Sequence, residues 1–379
     1  MAKQSWWRRL VDGKAPEYPE DEPAPDAARE PQLEAEIERD LSAIDPYLIY
    51  SDWLCDRGDP RGELIALQAR CEAKPDDARW DLAVRTIDPW TVLDGEHAPR
   101  ARALLDRFPI RLAGELEAGD HVEWHCGYWK RLHVEPIHPT FKLETRLVSA
   151  LRHESARFLR MLSIGPTLGL AIPPRLPQLP PTLRSLHLGA SIVPTTELGR
   201  LGDLSGLWAR TRSLETIVLQ GSSLHIARPF EAPALRSLEL VTDDLHRETL
   251  HSIAHSDLPS LETLIFWIGG RGRSAVTLDD FRELAAARLP NLRDLGVVKC
   301  AFVDEAVDVI AYAPWLPQLR VLDLSRGGLT ARGLDVLESS RDRLPELRHL
   351  DLSQNRLDDY GCERARTLAP RVRTTGQMR

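Results

Sequence analysis

The sequence predicts an α/β fold: a leucine-patterned solenoid with a parallel sheet on its concave face and helices on its outer face, preceded by a small α-helical domain. Two observations support this prediction. A pattern of alternating leucines recurs at intervals of about 27 residues through the C-terminal two thirds of the chain. The segment before it carries apolar residues at helical rather than strand spacing.

The clearest copy of the pattern spans residues 344–359, with the sequence LPELRHLDLSQNRLDD. Leu350 and Leu352 alternate around Asp351, so both leucines point to one face of a short strand. Asn355 follows where the chain turns away, and its amide can satisfy backbone groups that no strand neighbour reaches. One such unit cannot bury its own apolar face, so it has to stack on others.

Eight further copies precede this one. Their central apolar residues are Leu132, Leu162, Leu186, Ile217, Leu238, Leu264, Leu295 and Leu322. The pattern resembles that of the leucine-rich-repeat family. Helical stretches between several copies resemble the longer, ribonuclease-inhibitor-like class of that family. The resemblance implies about nine repeats and a surface that recognises another protein.

The segment at residues 45–72 resembles a bacterial repeat-companion domain, a short helical domain that accompanies repeat arrays and has no established chemistry. The resemblance is carried by Tyr50, Asp52, Trp53, Leu54, Arg57, Gly58, Asp59, Pro60, Arg61, Gly62 and Glu63. The residues themselves predict a helical hairpin, because Gly58 can end one helix and Asp59 can cap the next. Its charged residues could form a recognition cluster, but a set of surface ion pairs is the favoured interpretation.

Four segments are therefore expected: a flexible tail at 1–30, the helical companion domain at 31–93, a connecting cap at 94–126 and the repeats at 127–379. The tail carries Trp6 and Trp7 among basic residues and then a proline-rich acidic stretch. These tryptophans could touch a membrane or a partner, although an unengaged tail is favoured. A further helix is predicted at residues 76–87.

Composition excludes several classes of function. A net charge of −8 argues against nucleic-acid binding, which needs a basic face. Five cysteines without C-x-x-C spacing predict reduced thiols and a cytoplasmic protein, with Cys300 at the Asn/Cys turn position of its repeat. No apolar run approaches the 18 residues of a membrane span. The chain is expected to be a monomer.

Motifs for catalysis are missing, so the sequence predicts a non-enzymatic protein without cofactor or metal. Two histidine pairs, His121 with His125 and His251 with His255, have a spacing that could bind a metal on a helix. Cys126 lies next to the first pair, where a fourth ligand is missing, and His246 and Glu248 lie near the second; solvated or partly packed histidines are favoured in both places. Arg271 and Arg273 lie in a glycine-rich loop, and an alternative function is a GTPase activator that uses one of them.

The candidate binding site comes from aligning the strands. The residues that alternate with the inward leucines should face the concave side, and in the middle repeats they are apolar: Val218, Val241, Ile265, Trp267 and Val298. Asp323 and Asp351 form an acidic step beside them. An exposed apolar patch with an aromatic centre is typical of a protein-binding site. Two alternatives are open: Trp267 could fold over the strand edge, or the N-terminal domain could cover it.

Overall fold

The structure, a computed structural model, describes residues 29–70, 97–114, 116–117, 119–136, 143–166, 178–189, 199–269 and 275–378. The chain forms two compact units: an N-terminal unit, residues 1–165 with 177–183 and 191–194, and a C-terminal unit, residues 166–176, 184–190 and 195–379. The helix predicted at 76–87, the tryptophans Trp6 and Trp7 and the loop arginines Arg271 and Arg273 lie outside the described residues. The domain boundaries expected from the sequence remain predictions.

Helices dominate the N-terminal unit: α1 (Pro31–Arg39), α2 (Asp45–Cys55), α3 (Pro60–Gln68), α4 (Ala98–Arg107) and α5 (Leu143–Arg152). The predicted hairpin of α2 and α3 is confirmed. Gly58 has a φ of +71°, which only glycine adopts freely. The Asp59 carboxylate accepts the Arg61 backbone N–H at 2.9 Å and so caps α3. Helix α1 ends at Arg39, because Asp40 begins a turn by accepting the Ser42 N–H.

Three strands complete the N-terminal unit. Strand β1 (His121–His125) runs antiparallel to β2 (Tyr128–Val134), which runs parallel to β3 (Met161–Ile164). Leu132 and Leu162 are direct partners, as the repeat register predicts. Apolar side chains from the helices meet side chains from the strand region in one buried cluster, whose members include Ile37, Tyr47, Tyr50, Leu54, Ile65, Tyr128 and Phe158.

The C-terminal unit contains parallel strands in chain order: β4 (Ser185–Leu188), β5 (Thr216–Gln220), β6 (Ser237–Val241), β7 (Thr263–Trp267), β8 (Asp294–Val298), β9 (Val321–Asp323), β10 (His349–Asp351) and β11 (Arg371–Arg373). The predicted central residues of β4 to β10 pair directly with one another, from Leu186 with Ile217 to Leu322 with Leu350. The register is therefore confirmed. Strand β11 was not predicted.

Helices follow most of these strands: α6 (Arg247–Ala254), α7 (Leu278–Ala285), α8 (Val303–Ile310), α9 (Ala331–Ser339) and α10 (Asp359–Ala365). Each packs against the next. Thr277 begins α7 with a capping box, in which its side chain and that of Asp280 bond reciprocally to backbone N–H groups. Among the described helices, none combines the length and hydrophobicity needed to cross a bilayer.

Asn355 is fully buried and completes the loop of the preceding repeat. Its Oδ1 accepts the backbone N–H groups of residues 327, 328 and 329 at 2.8–3.1 Å. Its Nδ2 donates to the carbonyls of Leu324 and Leu352. Gln377 acts in the same way one step later: its Oε1 accepts the Leu357 N–H, and its Nε2 donates to the Leu352 carbonyl. The role predicted for the asparagine is confirmed, and Cys300 is buried at the corresponding position.

Candidate functional site

The side chains that alternate with the buried leucines in strands β5 to β8 form one surface of the sheet, here called the Trp267 face. It consists of Val218, Val241, Ile265, Trp267 and Val298. Val241, Ile265 and Trp267 are partly exposed. Val218 and Val298 are only 7% and 3% exposed. The expectation that all five side chains face solvent is therefore wrong for these two valines.

Larger neighbours account for the burial of both valines. Val298 pairs directly with Trp267, and the Arg326 guanidinium reaches toward that ring from two strands away, with its Cζ 5.2 Å from the ring centroid. Val218 pairs with His187 on one side and Glu239 on the other. A short branched side chain between longer ones loses most of its contact with water.

Ile265 rests on a glycine. A Cβ atom added to Gly296, its direct partner in β8, would lie 2.8 Å from Cγ2 of Ile265. The isoleucine side chain therefore occupies the space that any other residue at position 296 would need. This packing holds Ile265 beside Trp267 without removing it completely from solvent.

A charged pair borders the Trp267 face at the C-terminal ends of the strands. Lys299 Nζ lies 2.5 Å from Oδ1 of Asp243, and both side chains are about one third exposed. Between their two repeats lies Gly269, with a φ of +102° and no space for a Cβ against the Asp243 carbonyl. A partly exposed apolar centre therefore has a polar edge, as in many protein interfaces.

The acidic step lies on the two strands that follow β8 in the sheet. Asp323 and Asp351 are direct partners in β9 and β10. Each accepts the backbone N–H two residues later, from Ser325 at 2.9 Å and from Ser353 at 2.8 Å. Burial, and then the neighbouring carboxylate of Asp351, raise the pKa of Asp323. The two carboxylates place acidic groups next to apolar side chains, and Oδ2 of Asp351 lies 3.6 Å from Nη1 of Arg373, so part of this negative charge is balanced within the chain.

Three charged residues of the α2–α3 hairpin are buried in the N-terminal unit. The Arg61 guanidinium donates to the carbonyls of Gly127 and Arg111 at 2.5 and 3.1 Å, and to Oγ of Ser155 at 2.9 Å. Asp59 pairs with Arg111, and Glu63 pairs with Arg100. The prediction of a surface ion-pair set is therefore wrong for Arg61 and Glu63. Their partners lie 37 to 94 residues away in the sequence, beyond the reach of a local pattern.

The remaining hairpin residues divide between interior and surface. Tyr50 is buried, and its hydroxyl lies 3.0 Å from Oε1 of Glu34. Asp52 and Arg57 are exposed, and Trp53 is partly exposed. The Arg57 guanidinium lies over the Trp53 ring, 3.8 Å from its centroid. This stacked pair and Asp52 are the parts of the predicted motif that could contact another molecule.

Two groups of side chains in the N-terminal unit resemble a catalytic group or a metal site. His133 joins Oγ of Ser163, 2.9 Å away, to a carboxylate oxygen of Glu135, 3.0 Å away. Both His133 and Ser163 are 1% exposed, so a substrate cannot reach this serine. His121 and His125 lie on strand β1 and not on a helix. Four residues of extended chain span about 13 Å, so the helical spacing on which the metal-binding alternative for this pair depended is absent.

The similarities found among solved structures concern the fold alone. A structural-genomics target from Bacteroides fragilis is similar at 20% identity and a TM-score of 0.53, with 74% of this chain and 85% of that chain covered. An internalin from Listeria monocytogenes aligns at 14% identity and a TM-score of 0.32, over 66% of this chain and 82% of its own. No family model matches the sequence, and no curated protein matches it.

Proposed function

We propose that the chain is a leucine-rich-repeat protein that binds another protein through the Trp267 face and performs no catalysis itself. The observation that carries this proposal is the partly exposed Trp267 ring in the middle of a parallel sheet. Val241 and Ile265 lie beside it and are also partly exposed. Tryptophan is enriched among the residues that dominate binding energy in protein interfaces.

The surroundings of the tryptophan define what kind of partner fits. The apolar centre calls for an apolar pocket or side chain on the partner. The Lys299–Asp243 pair supplies a polar edge. The carboxylates of Asp323 and Asp351, which Arg326 and Arg373 already face, add a second polar region on the strands after β8. The partner is therefore expected to present an apolar group with polar groups around it.

The N-terminal unit has a structural role in this proposal. Its buried charges Asp59, Arg61 and Glu63 bond to groups of the same unit and offer nothing to a second molecule. The exposed Arg57–Trp53 stack remains available as a second contact. The cysteines among the described residues are free thiols, consistent with a cytoplasmic location.

The test is quantitative capture with the full chain as bait. Native lysate is passed over the wild type, Trp267→Ala and Tyr312→Ala, and proteins whose capture depends on Trp267 are identified and then titrated in purified form. Loss of an aromatic anchor commonly costs about 2 kcal/mol of binding, or roughly a thirtyfold weaker affinity.

Tyr312 is a matched control, because it is an exposed aromatic outside the Trp267 face with an arginine 5.4 Å from its ring. Tyr312→Ala is expected to bind like the wild type. Equal capture by all three baits would show that the Trp267 face is not the binding site. A large fall in melting temperature for Trp267→Ala with unchanged capture would assign the ring to the core.

A further inference from the structure

Two histidines and a glutamate converge on the helices of two consecutive repeats. His251 lies in the last turn of α6, His255 directly follows that helix, and Glu283 lies in α7. One ligand atom from each residue lies within 4.8 Å of the other two, and all three side chains are exposed. The sequence spacing indicated only the histidine pair. Packing of α6 against α7 supplies a third group from 32 residues later.

The hydrogen bonds of the two rings leave nitrogen lone pairs available. Nδ1 of His255 lies 2.9 Å from the carbonyl oxygen of His251. A carbonyl only accepts, so this nitrogen carries a proton, and in the neutral ring the lone pair is then on Nε2. Nδ1 of His251 lies 2.8 Å from a carboxylate oxygen of Glu283, which also accepts. Backbone carbonyls and carboxylates are the usual partners that orient metal-binding histidines.

The two rings also lie close together. Their centroids are 4.3 Å apart, with an angle of 36° between the planes. A tetrahedral zinc ion with ligands at 2.0–2.1 Å needs ligand atoms about 3.4 Å apart. The atoms present within 4.8 Å therefore have to approach by roughly 1.4 Å at most. Exposed side chains make such a movement by small rotamer changes, without any change of the backbone.

We propose that His251, His255 and Glu283 bind one divalent transition-metal ion of the Zn²⁺ class. Imidazole and carboxylate suit zinc, cobalt and nickel, whereas magnesium and calcium prefer sites made of oxygen alone. Two neutral imidazoles and one carboxylate give the site a negative charge. The ion joins helices of adjacent repeats, and because it binds only the folded arrangement it raises the melting temperature.

The test uses the full chain without an affinity tag, freed of metal by dialysis against a chelator. Calorimetric titration with Zn²⁺ is expected to show one site. His251→Gln, His255→Gln and Glu283→Gln should each weaken binding about tenfold or more, at least as much as the loss of a group that only orients a ligand. Titration with Co²⁺ should give a visible absorption spectrum in the wild type that is lost in the double histidine variant.

His246→Gln is the matched control, since His246 precedes the same helix and lies outside the cluster. It should bind zinc like the wild type, and each variant should melt at the wild-type temperature without metal, because the side chains of the cluster are exposed and that of His246 is partly exposed. Cys362→Ser, which removes a partly exposed thiol, should also leave binding unchanged. Unchanged zinc affinity in the double histidine variant, or loss of binding in Cys362→Ser, would overturn the proposal, as would absence of binding by the wild type.

Discussion

Buried charged side chains are concentrated in the N-terminal unit, whereas the charged side chains of the C-terminal unit lie mainly at its surface. Among the described residues, the buried charged side chains belong to the N-terminal unit with the exception of Asp280. The Arg61 side chain there is 1% exposed. In the C-terminal unit, Arg332 also bonds to two acidic residues, Glu305 and Asp308, yet its side chain is 59% exposed. The same residue type serves the interior of one unit and the surface of the other.

This difference reflects how each unit fixes the positions of its strands and helices. In the C-terminal unit a repeated apolar pattern fixes the position of each strand, because every leucine has an equivalent partner in the next repeat. The N-terminal unit has no such repetition among its helices. The guanidinium of Arg61 instead holds α3 against backbone carbonyls at two fixed points, Gly127 and Arg111. These hydrogen bonds position α3, as the periodic leucines position the strands of the repeats.

The largest effect is expected from removing Arg61. Arg61→Ala leaves the carbonyls of Gly127 and Arg111 without this donor, and leaves Glu154, which lies 3.9 Å from Nε, with Arg157 as its cationic partner. Breaking a buried charged network of this kind costs about 3–5 kcal/mol. Urea unfolding followed by circular dichroism measures the change in the free energy of unfolding.

Arg332→Ala is the matched control in the other unit. It removes an arginine from two acidic partners on the surface, so its cost should stay below about 1 kcal/mol. Similar costs for the two substitutions would mean that the proposed contrast between the units is wrong.

A somewhat smaller effect is expected in the core of the repeats. Leu350 is fully buried and pairs with Leu322 on one side and Val372 on the other. Leu350→Ala should lower the free energy of unfolding by about 2–5 kcal/mol, through lost burial and the cavity left behind. His349→Ala, one residue away on the other face of the strand, should cost much less. An unchanged urea midpoint for Leu350→Ala would contradict the register of the strands.

The smallest of these effects is a dependence on pH that comes from the N-terminal unit. Burial lowers the pKa of His125 and of His153 to about 4. His153 is held neutral, because it donates to the Ile110 carbonyl and accepts the Ser155 N–H. Between pH 6.5 and 4 the unfolded chain binds protons that the folded chain excludes, so stability falls as the pH is lowered through this range.

Urea midpoints measured at intervals from pH 7 to pH 4.5 test this expectation. Solvent at these half-buried rings limits the combined loss to the order of 1–2 kcal/mol. The double variant His125→Gln/His153→Gln should show a flatter profile than the wild type over the same range. Parallel profiles would assign the acid sensitivity to other groups.

The strands of the repeats could be predicted because their signal is local. Two leucines around one residue define a strand face, and Asn355 marks its end. Strand β11 escaped prediction because Arg-Val-Arg contains no leucine pair. Helix α3 was predicted from Asp59 and Pro60 for the same local reason, through its cap and its first turn.

Features that depend on distant partners could not be predicted. The burial of Arg61 follows from Gly127 and Ser155, and that of Val298 from Trp267 in the neighbouring strand. Glu283 joins the two histidines only through helix packing. The alignment therefore placed the residues of the Trp267 face on the right strands, whereas the exposure of the individual side chains required the three-dimensional arrangement.

Asn355 and Gln377 have a consequence for shortening or extending the array. Each closes the loop of the repeat before it, so a repeat is complete only when its successor is present. A chain cut after the helix at Ala331–Ser339 would leave the N–H groups of residues 327–329 without the Asn355 acceptor. In a designed array, the final repeat should therefore be followed by residues 371–378. They contain strand β11 and Gln377, which supply the strand pairing and hydrogen bonds that the last repeat needs.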